Sequence, residues 1–331
     1  MKKLLALIFT TVWVCLVVNS FGQTPPTNSN RGPALSEADL RKSFADTIEQ
    51  VNAFYKTEGF PIMAPSADLT RFRVEPNPDY QEMEGCFSPT EQALVSSKIL
   101  AKSGKIIFFC NLAASNAFEH SPKYETPPPA RWTKDHAIEV ASKFADIFVK
   151  PWGKSLSSPE ARYDWQGRSF EGDKRMTSAG MWTVSWMQQT PSGILYRIEG
   201  VAVDLSEEFG PDTVFIHFQT QYDDDHITPL AKDKAIIEAR KGLDKILAWG
   251  PTKDSFSGAK VQGEPEAELM IVQPNNITAQ KSITDAGVSN QLKARLAWVV
   301  TYKVLVPSGA GDGTVDVYID AKDGSFLGGF F

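Results

Sequence analysis

The stretch that most constrains the fold is the last one, Ala297 to Phe331, which reads AWVVTYKVLVPSGAGDGTVDVYIDAKDGSFLGGFF. It contains two runs typical of β-strands, Trp298–Val306 and Thr314–Asp320, with turn residues between them. A third short run, Phe326–Phe331, follows an Asp-Gly dipeptide, which is a strong hairpin signal. The chain therefore ends in a small antiparallel sheet.

The middle run of this ending alternates apolar and polar side chains. Val315, Val317 and Ile319 share one face of a strand, while Asp316, Tyr318 and Asp320 share the other. A period of two predicts a half-buried strand with only its apolar face covered.

Earlier parts of the chain repeat this ending, each time after an amphipathic helix. Gly104, Gly210 and Gly324 occupy equivalent turns, and an apolar run follows each of them. This self-similarity predicts α+β units in which one helix covers one face of a small antiparallel sheet. The predicted organisation is a signal peptide (1–22), a leader (23–35), a first unit (36–118), a Pro-rich linker (119–131), a second unit (132–222) and a third unit (223–331).

Three helix starts are predicted from capping residues. Ser36 caps a helix that runs to about Thr57, Thr133 caps the second, and Thr228-Pro229 opens the third. Further strands are predicted at Leu69–Val74, Ala93–Leu100, Lys105–Leu112, Met181–Met187, Leu195–Leu205, Thr213–Thr220 and Glu268–Val272. Long loops are predicted through Cys86 and Pro89, at 153–180 and at 252–294.

Composition and the N-terminus narrow the class of protein. The chain is 42% hydrophobic and 22% charged, with a net charge of −6, which argues against nucleic acid as a partner. Lys2 and Lys3 precede the apolar run Leu4–Val18, and small residues follow near Gly22. This pattern predicts an export signal, with no stable membrane span after its cleavage; an uncleaved anchor is the alternative.

Two cysteines, Cys86 and Cys110, remain after the predicted signal peptide. In an oxidising compartment two cysteines favour a disulfide, which would tie a loop of the first unit to its last strand. The alternative is that Cys110, inside the apolar run IIFFCNLA, is a buried free thiol.

The last two units resemble PepSY-type modules, the helix-plus-sheet domains found in the propeptides of thermolysin-like peptidases. The resembling residues of the third unit are Ile227-Thr228-Pro229, Ala235, Trp298, Val300 and VYIDAKDGSFL; those of the second are Thr133, Ala137–Ala141, WTVSW and VAVDL. Together they cover roughly 132–331, and the first unit is a weaker match.

The resemblance implies a cystatin-like helix packed across a curved sheet. It also implies a role in binding or inhibiting peptidases or in assisting their folding, without catalytic residues. No peptidase domain follows before Phe331, so any such enzyme is expected to be a separate protein.

Signatures of catalysis and metal binding are absent from the sequence. It contains no HExxH, no G-x-S-x-G, no Walker A motif and no GxGxxG. The densest ligand cluster is Asp223-Asp224-Asp225-His226, which lacks EF-hand spacing and is better interpreted as a solvated acidic linker. We therefore expect no catalytic residue, no metal and no cofactor.

Tryptophan is the more suggestive residue type. Trp182 and Trp186 lie four residues apart on one predicted strand, and Trp298 opens another. Core packing is the simplest explanation, and an exposed platform for a peptide is the alternative. The predicted function is an exported, non-catalytic module that binds an extended peptide or a peptidase. The alternative function is a cell-envelope enzyme with its site in 153–180 or 252–294.

Overall fold

The computed structural model describes residues 35–61, 73–76, 80–87, 93–100, 103–126, 128–165, 168–171, 174–177, 180–218, 222, 227–248, 258–274, 294–306 and 311–330. The predicted signal peptide, most of the leader and the acidic run 223–226 lie outside the described residues. Within these ranges, no helix is long and apolar enough to cross a membrane.

The fold is α+β, as the repeating pattern of helix and strands predicts. The helices are α1 (Glu37–Glu58), α2 (Leu112–Glu119), α3 (Lys134–Val149) and α4 (Lys232–Leu247). The strands are β1 (Arg73–Pro76), β2 (Tyr80–Phe87), β3 (Ala93–Leu100), β4 (Ile106–Cys110), β5 (Glu160–Trp165), β6 (Arg168–Glu171), β7 (Lys174–Thr177), β8 (Gly180–Gln189), β9 (Leu195–Ser206), β10 (Gly210–His217), β11 (Lys260–Val272), β12 (Arg295–Val306), β13 (Gly311–Asp320) and β14 (Phe326–Phe330).

The chain divides into two compact units. The first contains the residues up to Met187 together with Gly200–His217, and the second contains Gln188–Glu199 and the residues from Phe218 onward. The boundaries of the three predicted sequence units stay a prediction.

The first unit is organised by an antiparallel sheet and two long helices. Strands follow the order β1-β2-β3-β4-β10-β9-β8-β5, and β6 and β7 form a separate hairpin. Helix α1 begins where predicted: the Ser36 hydroxyl accepts a hydrogen bond from the Asp39 N–H at 3.2 Å, and Gly59, at φ 78°, ends the helix. Thr133 caps α3 in the same way, through the His136 N–H.

Aromatic side chains fill the space between these helices and the sheet. The rings of Tyr55 on α1 and Phe144 on α3 stack with centroids 6.1 Å apart, and Phe109 on β4 meets Phe144 edge-on. All three side chains are buried, so this cluster forms the centre of the first core.

Two loop predictions are wrong in the first unit. The segment around Cys86 forms β2, which pairs with β1 and β3, and 153–180 contains β5, β6 and β7. Their polar composition misled the prediction because strands with charged side chains occur where a face or an edge meets water.

The second unit contains the antiparallel strands β11-β12-β13-β14, with α4 across one face, and the start of β9 forms one parallel bridge to the other side of β11. The predicted apolar face is confirmed: Val315, Val317 and Ile319 pack against Leu243 and Ile246 of α4. At Gly242 the helix approaches β14 so closely that an added Cβ would lie 2.5 Å from the Phe326 ring.

The opposite face of β13 is not solvated as predicted. Asp316 is 5% exposed, its Oδ1 accepts the Thr301 hydroxyl at 2.6 Å, and its Oδ2 accepts the Arg197 Nε–H at 3.0 Å. Desolvation opposes the charge on Arg197, but Tyr318 and Asp316 raise the pKa of its guanidinium overall. The polar face of β13 is therefore covered in part by the ion pair of Asp316 with Arg197, a residue 119 positions away in the chain.

Candidate functional site

Two of the three tryptophans predicted as a contact surface are buried. Trp182 is 6% exposed and Trp186 is 8% exposed, and both lie on β8. Trp298 is half-buried and packs on the core under α4. The prediction of a peptide platform is corrected for Trp182 and Trp186, because a buried indole offers no area to a partner.

Trp182 instead contributes to a polar junction centred on Glu207. The Glu207 carboxylate accepts hydrogen bonds from the Trp182 indole at 3.0 Å, from the Trp132 N–H at 2.9 Å and from the Arg131 N–H at 3.0 Å. Desolvation raises the pKa of Glu207, but these donors outweigh it and lower the pKa below its ordinary value. The junction fixes the β9–β10 turn to the chain that leads into α3.

Trp298 has a comparable position in the second unit. Its indole donates to the Leu230 carbonyl at 2.8 Å, and the Leu230 N–H donates to the Ala321 carbonyl at 2.6 Å. These two bonds hold the segment before α4 extended against the sheet. They explain why the helix begins at Lys232 and not at the predicted Thr228-Pro229.

The predicted disulfide between Cys86 and Cys110 is not formed, and Cys110 is a free, buried cysteine. Strand order gives the reason: Cys86 belongs to β2 and Cys110 to β4, and β3 lies between these strands. Two strand spacings are about 9.5 Å, which exceeds the roughly 7 Å that a disulfide spans between Cα atoms.

One buried carboxyl group, that of Asp212, lies near Cys110 in the first unit. Asp212 sits at a bulge of β10, 5% exposed, and its Oδ1 has no hydrogen-bond partner. Burial, reinforced by the charge of Asp204, raises the pKa of Asp212 to about 8. Burial also raises the pKa of the Cys110 thiol to about 12. Both groups are therefore neutral near pH 7, and neither is accessible enough to serve a substrate.

One edge of the sheet in the second unit is largely unpaired among the described residues. β11 has 13 residues and pairs along one side with β12. On its other side the described residues provide a single bridge, Ile271 to Tyr196. We call the remaining side of Lys260–Met270 the β11 edge; no strand pairs with it in the described parts of the chain.

Half-buried apolar side chains border the β11 edge on the face that α4 covers. Ala267 pairs with Val300 and packs on the core under α4, whereas Leu269 pairs with Trp298 and packs against the cluster around Tyr196 and Ile271. On the helix, Ile236 is half-buried against the same core, and its carbonyl accepts the Tyr302 hydroxyl at 3.4 Å. The half-buried apolar side chains of β11 itself are Val261, Ala267 and Leu269.

Exposed glutamates border the same edge on the opposite face. Glu266 pairs with Thr301 and Glu268 pairs with Val299, so their side chains point away from α4. The Glu266 side chain is 73% exposed and lies 4.0 Å from the Lys303 ammonium, which makes a loose surface pair. Each face of the edge thus has its own chemistry, apolar on one side and acidic on the other.

A bulge divides the β11 edge. Gln262 pairs with Lys303 and Glu266 with Thr301, so three residues bulge out opposite one. Gly263, at φ 67°, permits this turn of the backbone, and Pro265 follows it. The bulge separates a short segment of the edge, Lys260–Gln262, from a longer regular segment, Glu266–Met270.

The sequence predicted only the last part of β11, Glu268–Val272. The missed signal is the alternation in Glu264-Pro265-Glu266-Ala267-Glu268-Leu269, which has the period of two expected for a strand. Proline and glycine obscured it, because both usually end a strand. The rest of the predicted 252–294 loop lies largely outside the described residues.

Metal ligands are not assembled in the described residues: no group of three or more His, Cys, Asp or Glu side chains there is arranged to hold an ion. The β11 edge can recognise a partner through main-chain hydrogen bonds, apolar contact and negative charge.

Comparisons with known proteins return distant structural similarity. No family model and no curated protein match the chain. Among solved structures, the YpeB C-terminal domain of Bacillus megaterium is 13% identical, with a TM-score of 0.39, over 90% of this chain and 98% of that one. An uncharacterized protein from Eubacterium rectale is 12% identical, with a TM-score of 0.39, over 87% of this chain and 80% of that one.

Proposed function

We propose that the protein is an exported, non-catalytic binding module that takes an extended polypeptide as an added strand on the β11 edge. The observation that carries this proposal is the side of Lys260–Met270 that pairs with no strand in the described parts of the chain. An extended peptide can satisfy such an edge through main-chain hydrogen bonds, while its alternate side chains contact the two faces of the sheet.

The finer proposal is that residues 132–331 contain two PepSY-like modules and that the bound polypeptide belongs to a peptidase. It is supported by the motifs of the sequence and by a shared contact. In each module a strand tryptophan donates its indole N–H close to the start of a helix: Trp182 to Glu207, which also holds the Trp132 N–H, and Trp298 to Leu230. Export is supported by the apolar run Leu4–Val18 behind two lysines.

Strand addition is tested with a synthetic peptide that cannot fold on its own. The probe is a fluorescent ten-residue peptide of alternating valine and threonine, titrated with purified protein and followed by anisotropy. The control is the same peptide with every second amide N-methylated, which removes donors along one side and leaves the side chains unchanged.

We expect saturable binding of the first peptide and at least about tenfold weaker binding of the methylated one, equal to about 1.4 kcal/mol. Equal binding of both peptides would exclude main-chain recognition. A pull-down of the protein from its own cell envelope then tests the finer proposal, and recovery of partners without any peptidase would contradict it.

A further inference from the structure

We infer that the strand accepted by the β11 edge alternates apolar side chains with lysine or arginine. This inference rests on the proposed function and specifies its ligand. It follows from the different chemistry of the two faces that an added strand would extend.

Toward α4, the added strand continues an incomplete apolar layer. Val261 and Ala267 are only half-buried, although their partners Val304 and Val300 on β12 are fully buried. An apolar side chain placed beside them would remove this border from water, which is favourable. One face of the ligand is therefore apolar.

On the opposite face, the added strand lies beside Glu266 and Glu268. Both side chains are exposed, and they stand two residues apart, so they border alternate positions of a neighbouring strand. A cationic side chain opposite each of them makes a favourable cross-strand pair, and an acidic side chain is repelled. The second face of the ligand is therefore basic.

The same glutamates disfavour a second copy of this chain as the occupant. Two β11 edges brought together would place the glutamate rows of both copies on neighbouring strands. Charge, the bulge at Gly263 and Pro265 are devices that keep a free edge from pairing with itself. Pairing of two β11 edges is thus disfavoured, whereas pairing with a strand of complementary charge is favoured.

The test uses three peptides of alternating valine and threonine: one with two threonines replaced by lysine, one with the same two replaced by glutamate, and the neutral parent. Each is titrated with wild-type protein and with the Glu266→Lys/Glu268→Lys variant at low ionic strength. The Glu49→Lys/Glu208→Lys variant makes the same change in net charge at exposed positions of the first unit and serves as the control.

Wild-type and control proteins are expected to bind the lysine peptide about tenfold more tightly than the glutamate peptide. The Glu266→Lys/Glu268→Lys variant should reverse this order, and high salt should shrink both preferences because the charges are exposed. Binding of all three peptides with equal affinity by all proteins would overturn the inference while leaving strand addition standing.

Failure of every peptide to bind would instead remove the proposed function itself. Sedimentation of the free protein tests whether a second copy of the chain occupies the edge. A dimer that the Glu266→Lys/Glu268→Lys variant disrupts would assign the edge to that second copy and overturn the inference.

Discussion

The Trp182 indole nitrogen lies 3.0 Å from Glu207 Oε1, and the side chain of that glutamate is 6% exposed. The same carboxylate accepts the backbone N–H groups of Arg131 and Trp132. One buried charge thus joins a strand, a turn and the lead-in to α3. Trp182 is a structural residue because its polar end is already used inside the fold.

Substitution of Glu207 by glutamine is expected to destabilise the first unit. The amide has one acceptor oxygen in place of two and carries no charge, and hydrogen bonds to charged groups are worth roughly 1.5–3 kcal/mol each. We expect a loss of about 1–3 kcal/mol in the free energy of unfolding by urea at pH 7. Glu208→Gln, at an exposed neighbouring position, should change it little; equal effects of both changes would contradict the role of Glu207.

The pH dependence of the same variant follows from the lowered pKa of Glu207. A carboxyl group whose folded pKa is depressed stabilises the protein above its unfolded pKa, and that contribution is lost as the pH falls through the folded value. The wild-type advantage over Glu207→Gln should therefore shrink on acidification. An advantage that grows toward low pH would contradict this assignment.

For Asp212 we expect the opposite dependence of stability on pH. Its folded pKa of about 8 exceeds the ordinary value of 3.8, so the folded state binds more protons between these values and stability falls as the pH rises through that window. Asp212→Asn should remove up to about 1.4 kcal/mol per pH unit of this slope. Urea unfolding at pH 5, 6.5 and 8 measures it, and parallel curves for the two proteins would show that Asp212 ionises freely.

Cys110 is expected to be an unreactive thiol. Its burial and its raised pKa both suppress the thiolate, which is the reactive species. In a Cys15→Ser/Cys86→Ser variant, a thiol reagent should label nothing in the native state and one group after unfolding. Wild-type protein that is lighter by two hydrogens, with Cys86 and Cys110 in one cross-linked peptide, would restore the disulfide that strand order argues against.

Local patterns predicted the elements whose determinants lie close together in the chain. Ser36 and Thr133 cap their helices, and Val315, Val317 and Ile319 face α4, because these features depend on neighbouring residues. The alternation of amphipathic-helix and strand patterns correctly indicated an α+β fold.

Features that depend on distant contacts were not predicted. Asp316 appeared solvated because its partner Arg197 is 119 residues away, and the start of α4 was misplaced because Trp298 holds Leu230 from across the sheet. The candidate site was missed for a third reason. An open edge is defined by which strand lies beside it, and no pattern within β11 states that.

Hydrogen exchange of the backbone amides tests strand addition on β11 most directly. With the lysine-containing peptide in excess, the outward amides of Glu266–Met270 should exchange more slowly, while those of the short edge strand β14 should be unaffected. This result would place the ligand on the β11 edge through main-chain hydrogen bonds. Bound peptide with unchanged exchange along Lys260–Met270, or with protection confined to another strand, would contradict the account.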